Sequence, residues 1–121
     1  GQVLLAYLDE SELKEYLQVA EFERFTESTV TRQQLRSKVQ AIRRDGFSLN
    51  FDGITRGVTS AAFPVFDNTG KLACVLSAGG PAERFAESQE VIVVATRAAA
   101  AELSRMLGYM GPPSEPARST A

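Results

Sequence analysis

The sequence predicts an α+β fold in which a three-stranded antiparallel sheet packs against helices. Apolar residues recur at helical spacing from residue 2 to 46 and again from 87 to 107, which predicts helices at both ends. Between these blocks apolar and polar residues alternate, as in strands that bury one face. The turn-forming segment Asp67-Asn68-Thr69-Gly70 interrupts the alternation, so the second and third strands should form a hairpin.

The first two helices are predicted from apolar spacing and an end signal. The apolar segment 2–8 is interpreted as the last turns of a helix. Asp9 and Glu12 then have capping-box spacing, with a side-chain acceptor at the helix start and a carboxylate three residues later. A second helix follows, with apolar residues at helical spacing: Leu13, Tyr16, Leu17 and Ala20.

The third helix has a signal at each end. Thr31 and Gln34 repeat the capping-box spacing, and Gly46 stands where a left-handed cap would end the helix. Its apolar stripe is Leu35, Val39 and Ile42. The adjacent Arg43 and Arg44 are interpreted as a solvated helix end rather than as a phosphate clamp.

Three strands follow, each predicted from alternation with period two. The first alternates Phe47, Leu49 and Phe51 with Ser48, Asn50 and Asp52. The second covers residues 58–66, where Pro64 indicates a bulge or a sheet edge. The third covers residues 71–79, and Gly79-Gly80-Pro81 is expected to stop it.

A long helix is predicted from about residue 87 to 107, and it could cover one face of the sheet. Its apolar stripe is expected to be Val91, Ile92, Ala95, Ala98, Ala99, Leu103 and Met106. Residues 110–121 are rich in Pro, Ser and Ala and are expected to form a disordered tail. The domain is therefore expected to span residues 1–109.

Composition limits the classes of partner. The chain is 44% apolar and 23% charged with a net charge of −2, the balance of a soluble globular protein without the basic stripe of a nucleic-acid module. The single cysteine, Cys74, excludes an internal disulfide, and this usage fits the reducing cytoplasm. Cys74 alternates in phase with the apolar residues Leu72 and Leu76 of the third strand, so its side chain is expected to be buried. No apolar run approaches the roughly 20 residues that span a bilayer, so we expect no membrane contact.

The residue types also argue against an enzyme. The chain has no histidine, which removes the usual general base, the Ser-His arrangements and the commonest metal ligand. One cysteine with scattered carboxylates makes no metal site, and Gly79-Gly80-Pro81 lacks the lysine of a phosphate-binding loop. We therefore expect no catalytic residue, metal or cofactor.

A candidate binding surface comes from the strand phases. If the three strands align, Asn50, Val58, Ser60 and Ser77 share one sheet face. The other face would carry Phe47, Leu49, Phe51, Cys74 and Leu76. Small side chains leave room, and hydroxyls with a carboxamide can hydrogen-bond a polar ligand. An ordinary solvent-facing side of a sheet explains the pattern equally well, so both interpretations stay open.

Six segments, in this order along the chain, carry a family resemblance. They are Gly1-Gln2-Val3-Leu4-Leu5-Ala6, Phe25-Thr26 with Thr29-Val30-Thr31, Ile42-Arg43-Arg44-Asp45-Gly46-Phe47, Gly57-Val58 with Ala61-Ala62-Phe63-Pro64-Val65, Leu76-Ser77 with Gly80-Pro81, and Leu107-Gly108-Tyr109. Over residues 1–109 the chain resembles the C-terminal part of the effector-binding domain of IclR-type bacterial transcription regulators.

The resemblance implies a GAF-like, profilin-like effector domain, of which this chain would hold an incomplete part. It implies a winged helix-turn-helix that precedes these residues in the full-length protein and contacts operator DNA. It also implies dimers or tetramers and small organic or aromatic acids as effectors.

Several pocket positions of that family differ in this chain. Asn50 stands where the family has an acidic residue, and Gly53, next to Asp52, stands where it has a glutamate. Ser60 stands where the family often has a cysteine. Of two serines that the family often has at the end of the third strand, this chain keeps Ser77 and has Gly79 in place of the other. The expected ligand contacts are therefore Asn50, Val58, Ser60 and Ser77, and these differences leave the identity of the effector open.

Two hypotheses from other classes remain. The chain could be an interaction or oligomerisation module without a small ligand, docking through the alanine-rich residues 95–101 and the exposed sheet. A small hydrolase or isomerase that depends on Ser77 is disfavoured by the missing histidine.

Overall fold

The computed structural model describes residues 2–19, 31–51 and 56–111. Its elements are α1 (Gln2–Ala6), α2 (Glu10–Val19), α3 (Arg32–Asp45), β1 (Ser48–Phe51), β2 (Val58–Phe66), β3 (Leu72–Pro81), α4 (Ala82–Glu87) and α5 (Gln89–Met106). The predicted α+β class is confirmed, and α4 is an additional helix. The predictions on Ala20, on the motif residues 25–30, on Asp52 and Gly53, and on the tail from residue 112 lie outside the described residues.

The predicted helix ends are confirmed in atomic detail. An Asp9 carboxylate oxygen accepts the Glu12 N–H at 2.8 Å. Thr31 and Gln34 form the reciprocal capping box, with the Thr31 N–H donating to Gln34 Oε1 at 3.0 Å. Gly46 takes φ 81° and donates its N–H to the Ile42 carbonyl, a left-handed conformation that suits glycine because it lacks a Cβ.

The strands form one antiparallel sheet in the order β1-β2-β3. The hairpin turn is built on Asp67, whose Oδ1 accepts the Thr69 N–H at 2.8 Å and the Lys71 N–H at 3.2 Å. Pro64 lies beyond the residues of β2 that pair with β1, and the register with β3 shifts just after it, between Val65 and Phe66. The predicted edge or bulge at Pro64 is therefore confirmed.

The expected end of β3 is wrong by two residues. Gly80 pairs with Thr59 and Pro81 with Val58, so the strand runs through the Gly-Gly pair. Extended glycines still take part in a ladder, and proline is tolerated at the terminal position of a strand. The chain then turns directly into α4.

Each face of the sheet packs against a different group of helices. One side, which we call the α5 face, carries Ala61, Phe63 and Val65 of β2. These residues form a core with Phe85 of α4 and Ala100 of α5. On the opposite side a second core packs partly buried Ala62 and Val75 against α1, α2 and α3. That second core contains Val3, Ala6, Leu13, Leu35, Val39 and Ile42.

The predicted apolar stripe of α5 is confirmed at Ile92, which packs against the core of the α5 face, and is wrong at its other members, which are exposed. Val91 is 70% exposed and Met106 is 72% exposed, whereas Thr96, Ala100 and Ser104 are buried. Small side chains let the helix lie close to the sheet, and each buried hydroxyl bonds to its own helix: Thr96 Oγ1 donates to the Ile92 carbonyl and Ser104 Oγ to the Ala100 carbonyl. Buried hydroxyls are tolerated when they are bonded in this way.

Ser104 has a second role at the sheet. Its Oγ accepts the Phe66 N–H at 3.0 Å, at the position where the β2–β3 register shifts. A backbone donor displaced from the regular ladder is thereby satisfied, because buried N–H groups need an acceptor. The serine therefore couples the C-terminal half of α5 to the end of β2.

Two expectations about single side chains are corrected. Cys74 pairs with Val65, so its side chain lies on the α5 face as predicted. The expected burial is wrong: Cys74 is exposed, because it lies on β3, an edge strand of the described sheet. Arg44 is exposed as expected, whereas Arg43 is half-buried. Its guanidinium donates to the carbonyls of Ala6 (2.5 Å) and Leu8 (2.7 Å) and pairs with Glu10 at 2.8 Å, so it joins α3 to α1 and α2.

Candidate ligand-binding surface

The register places the four expected contact residues on one side of the sheet. Asn50 lies opposite Ser60, and Ser60 lies opposite Gly79, which makes one row across all three strands. Directly opposite residues project to the same face. We call this side the polar sheet face; its members are Ser48, Asn50, Val58, Ser60, Ala62, Ser77 and Gly79. The predicted alignment of strand phases is confirmed, and contact with a ligand stays a prediction.

Gly79 lies close against Ser60 at the centre of this face. A Cβ at position 79 would lie 3.1 Å from the Ser60 Cβ and 3.3 Å from the Thr59 carbonyl oxygen, closer than ordinary side-chain contacts. The absence of a side chain therefore lets β3 lie close beside Ser60 without displacing it. The strand phases placed Gly79 on this face, but only the register shows that it lies beside Ser60.

The polar sheet face is covered at one end only. Ala62 and Val75 pack against the core that α1, α2 and α3 share, whereas Asn50 and Ser60 are half-buried and Val58 and Ser77 are exposed. The uncovered end is thus accessible to a solute and still bounded by protein.

A cleft of about 640 Å³ adjoins this open end between α3 and β1, and we call it the α3–β1 cleft. It is lined by Gln2, Gln33, Gln34, Ser37, Lys38, Leu49, Asn50 and Phe51. Asn50 therefore belongs both to the polar sheet face and to the cleft, while Val58, Ser60 and Ser77 lie outside the lining.

The sequence analysis missed the contribution of α3 to this cleft. Gln33 and Ser37 are four residues apart, as are Gln34 and Lys38, so each pair lies along one side of the helix. Both pairs avoid the buried stripe that contains Leu35. The exposed polar side of α3 was the available signal, but solvent-facing helices show the same pattern, and only the position of β1 shows that a cavity lies beside it.

The charge of the cleft is positive. Lys38 is the charged residue among the described side chains that line it. An adjoining cavity of about 230 Å³ shares Gln2 and Lys38 and also contains Asp45, whose carboxylate lies 3.1 Å from the Arg44 guanidinium. Lys38 is therefore the charged residue that the described linings of the two cavities share.

A second cavity of about 470 Å³ lies near the β2–β3 turn, between residues such as Tyr7 and Lys71. Tyr7 packs edge-on against Phe66 with ring centroids 5.3 Å apart, and burial raises the pKa of its phenol well above its usual range. Its hydroxyl is buried without a hydrogen-bond partner among the described residues. Since that hydroxyl is inaccessible and no expected contact residue lines the cavity, we do not treat it as the site.

The described helices include none that is both long and apolar enough to cross a membrane.

Comparison with known proteins identifies the family. The family model "Bacterial transcriptional regulator IclR C-terminal" matches residues 1–105. The HTH-type transcriptional regulator KdgR of Escherichia coli (strain K12) is 33% identical over 111 residues, which cover 90% of this chain and 42% of that protein. The chain thus spans less than half the length of this relative.

Solved structures agree with this match. The C-terminal domain of E. coli KdgR superposes with a TM-score of 0.80 at 32% identity, covering 89% of this chain and 67% of that one. A double mutant of the inducer-binding domain of the PobR transcription factor from Acinetobacter, solved as a complex with 3-hydroxybenzoic acid, has a TM-score of 0.78 at 23% identity. The match covers 85% of this chain and 62% of that one, and it shows the fold alone. The relatives are transcriptional regulators rather than enzymes, and this chain belongs to the IclR family, as a C-terminal domain of that type.

Proposed function

We propose that this chain is a small-molecule sensing domain, spanning residues 1–109, whose ligand binds on the polar sheet face. The row Asn50–Ser60–Gly79 carries the proposal, because it places a carboxamide, a hydroxyl and a residue without a side chain next to one another at an accessible end of the sheet. Val58 and Ser77 are the further contacts, as an apolar floor and a second hydroxyl. Small polar groups that converge in a cavity are the usual features of such sites.

Sensing would work through differential affinity. A ligand that binds one arrangement of the full-length protein more tightly than another shifts the population toward it. In this proposal the full-length regulator is a cytoplasmic dimer or tetramer, and a helix-turn-helix outside these residues contacts operator DNA. The ligand then changes operator affinity by the same factor by which the operator changes ligand affinity, and its preference between the two states is the upper limit of that change.

The fold supports the proposal without fixing the effector. The PobR domain holds 3-hydroxybenzoic acid in a domain of this fold. A small organic or aromatic acid is therefore the first class to screen by calorimetry against the full-length protein.

Bulky substitutions on the polar sheet face test the location of the site. Ser60→Phe and Ser77→Phe should each weaken a confirmed effector at least tenfold, because the ring fills the space that the small residues leave. Ser88→Phe is the matched control, since Ser88 is exposed between α4 and α5 and its side chain makes no capping hydrogen bond. Unchanged effector affinity in both face variants would remove the site from this surface.

A second function, assembly with another copy, is favoured by the outer side of α5. Val91 and Val94 are 70% and 61% exposed, and Met106 at the end of the same helix is 72% exposed. Large exposed apolar side chains on one helix are typical of contact surfaces. Val91→Glu with Val94→Glu should lower the molecular mass of the full-length protein in light scattering, and an unchanged mass would exclude this surface.

A further inference from the structure

Arg97 is a half-buried cation on the α5 face without an anionic partner. Its guanidinium lies over the rings of Phe47 and Phe63, 5.1 and 5.3 Å from their centroids. The ion pairs that the structure describes use other arginines, and none of them includes Arg97. A ring face attracts the positive charge but gives the guanidinium N–H groups no carboxylate acceptor. These donors are therefore available to an acid from a partner.

Phe47 leads directly into β1, which has an open edge. β1 pairs with β2 along one edge, and no described strand pairs with the other. The cavity of about 230 Å³ beside β1 is lined by side chains from both faces of the strand, Ser48 as well as Leu49 and Phe51. It therefore follows the edge. Backbone N–H and C=O groups at such an edge can pair with an added strand.

The surface between this edge and Arg97 is apolar. Leu49 is half-buried, Phe51 is 53% exposed, and both project to the α5 face. Val93 is half-buried one helical turn before Arg97, on the same side of α5. An added strand would lay alternate side chains on this surface, and the one beside Phe47 would meet the guanidinium. Apolar side chains with one carboxylate among them fit that pattern.

The charges at the edge favour an acidic segment. Asp45 lines the same cavity, but its carboxylate lies 3.1 Å from the Arg44 guanidinium, whereas Arg97 has no such counter-charge among the described residues. A hydrogen bond from a guanidinium to a carboxylate is stronger than a neutral one, and its two-pronged geometry fixes the position of the acid.

A second copy of β1 would not supply this acid. Residues 47–51 contain no Asp or Glu. Antiparallel pairing of two β1 strands about a two-fold axis would place their α5 faces on the same side, so Phe47, Leu49 and Phe51 would meet apolar counterparts. The observations therefore favour a segment of a different protein.

We propose that the open edge of β1 and the Arg97 guanidinium form a docking surface for an extended segment of another protein, which adds as a strand and places a carboxylate on Arg97. This surface lies on the strand edge and the α5 face. The proposal is therefore independent of the sensing function assigned to the polar sheet face.

Synthetic peptides test this surface on the full-length protein. The probe is a capped heptapeptide in which four threonines alternate with valine, glutamate and valine, so that the glutamate lies between the two valines on one face. Matched peptides carry glutamine or lysine in its place. In calorimetry the glutamate peptide should bind about threefold to tenfold more tightly than the glutamine peptide, and the lysine peptide should bind least tightly. The preference should shrink at high salt.

Substitutions separate Arg97 from positive charge in general. Arg97→Gln should remove the preference for glutamate over glutamine, whereas Arg97→Lys should retain part of it. Arg84→Gln is the matched control, because Arg84 is exposed on α4 and is also absent from the described ion pairs. Circular dichroism shows whether Arg97→Gln is folded; if it is not, Arg97→Lys and the peptide series carry the test.

Methylation of the peptide backbone tests strand addition. Alternate N–H groups of a strand point to the same edge. Methylating one alternate set of peptide nitrogens should abolish binding, and methylating the other set should be tolerated.

Several results would overturn the docking surface. Equal affinities of the three peptides, or no binding by any of them, would exclude recognition of a carboxylate. Equal effects of Arg97→Gln and Arg84→Gln would exclude Arg97, and tolerance of both methylated sets would exclude strand addition. Self-association that Phe51→Glu prevents in light scattering would assign the edge to a second copy instead.

Discussion

The two faces of the sheet are covered to very different extents, although one strand supplies both. On the α5 face, Ala61, Phe63 and Val65 are 0% exposed, whereas Val58 on the polar sheet face is 39% exposed and Ser60 is half-buried. Successive side chains of β2 point to opposite sides, so the core residue Ala61 has the expected contact residue Ser60 as its neighbour in the sequence. Over residues 58–61 of β2, the accessible side chains therefore lie on one face and the buried ones on the other.

Substitutions on the α5 face should therefore change stability. Phe63 is 0% exposed and stacks on Phe47 with ring centroids 4.9 Å apart, and the Arg97 guanidinium lies over both rings. We expect Phe63→Ala to lower the free energy of unfolding by about 3–5 kcal/mol, the usual cost of removing a buried phenyl ring.

Urea denaturation of the full-length protein measures this effect. Phe51→Ala is the control, because Phe51 is 53% exposed and should cost much less. Equal losses in the two variants would contradict the closed nature of the α5 face.

The next effect concerns the helices that bound the polar sheet face. Arg43 donates to the Ala6 and Leu8 carbonyls, so Arg43→Ala should leave these half-buried acceptors without a donor. We expect a loss of about 2 kcal/mol in the free energy of unfolding. The adjacent Arg44→Ala should stay within about 0.5 kcal/mol, since its pair with Asp45 is exposed. If Arg44→Ala lowers the free energy of unfolding more than Arg43→Ala does, the hydrogen bonds of Arg43 are not what holds α1 to α3.

On the polar sheet face, a single added methyl group should weaken ligand binding. Gly79→Ala would bring a Cβ to 3.1 Å from the Ser60 Cβ, and we expect it to weaken a confirmed effector by a factor of about 3–10, or roughly 0.7–1.4 kcal/mol. Gly80→Ala is the matched control, because nothing lies within 4 Å of a Cβ there. Calorimetry on both variants measures the difference, and equal affinities would show that the space beside Ser60 is not used.

The smallest effect is expected at the hairpin turn, away from both faces. Hydrogen bonds from the Thr69 hydroxyl and the Thr69 N–H hold the pKa of the Asp67 carboxyl below its usual range. A carboxyl whose pKa is depressed by folding contributes stability above its unfolded pKa, and that contribution is lost as the pH falls through its folded pKa. Asp67→Asn should therefore destabilise the protein slightly at neutral pH, and the difference should disappear in acid.

Urea midpoints at neutral and acidic pH measure that change, with effector affinity as the second readout. A destabilisation that persists undiminished in acid would assign the effect to the shape of the turn rather than to the charge.

Much of this fold could be predicted from local patterns. The capping residues Asp9 and Thr31, the left-handed Gly46 and the turn at Asp67 all depend on interactions within a few residues, so their signals lie in short segments. The four expected contact residues also share a face, because side-chain direction in a strand repeats every two residues.

Several of the predictions that failed depended on distant neighbours. The wrong expectations concerned the exposure of three side chains, which depends on the elements packed beside them: Cys74 is exposed, Arg43 is half-buried and Val91 is exposed. The six-residue α4 was also missed, since it has no side-chain cap hydrogen bond and is too short for a periodic stripe.

The order of the elements, their main end points and the phase of each strand are properties of the amino-acid sequence, because backbone geometry and capping act over one or two turns. Three features depend on the tertiary structure: the side of α5 that is buried, the solvent exposure of Arg43, and the cleft between α3 and β1. Those features arise where surfaces distant in sequence meet, and a helix with two plausible faces buries the one whose small side chains allow the closest approach to the sheet.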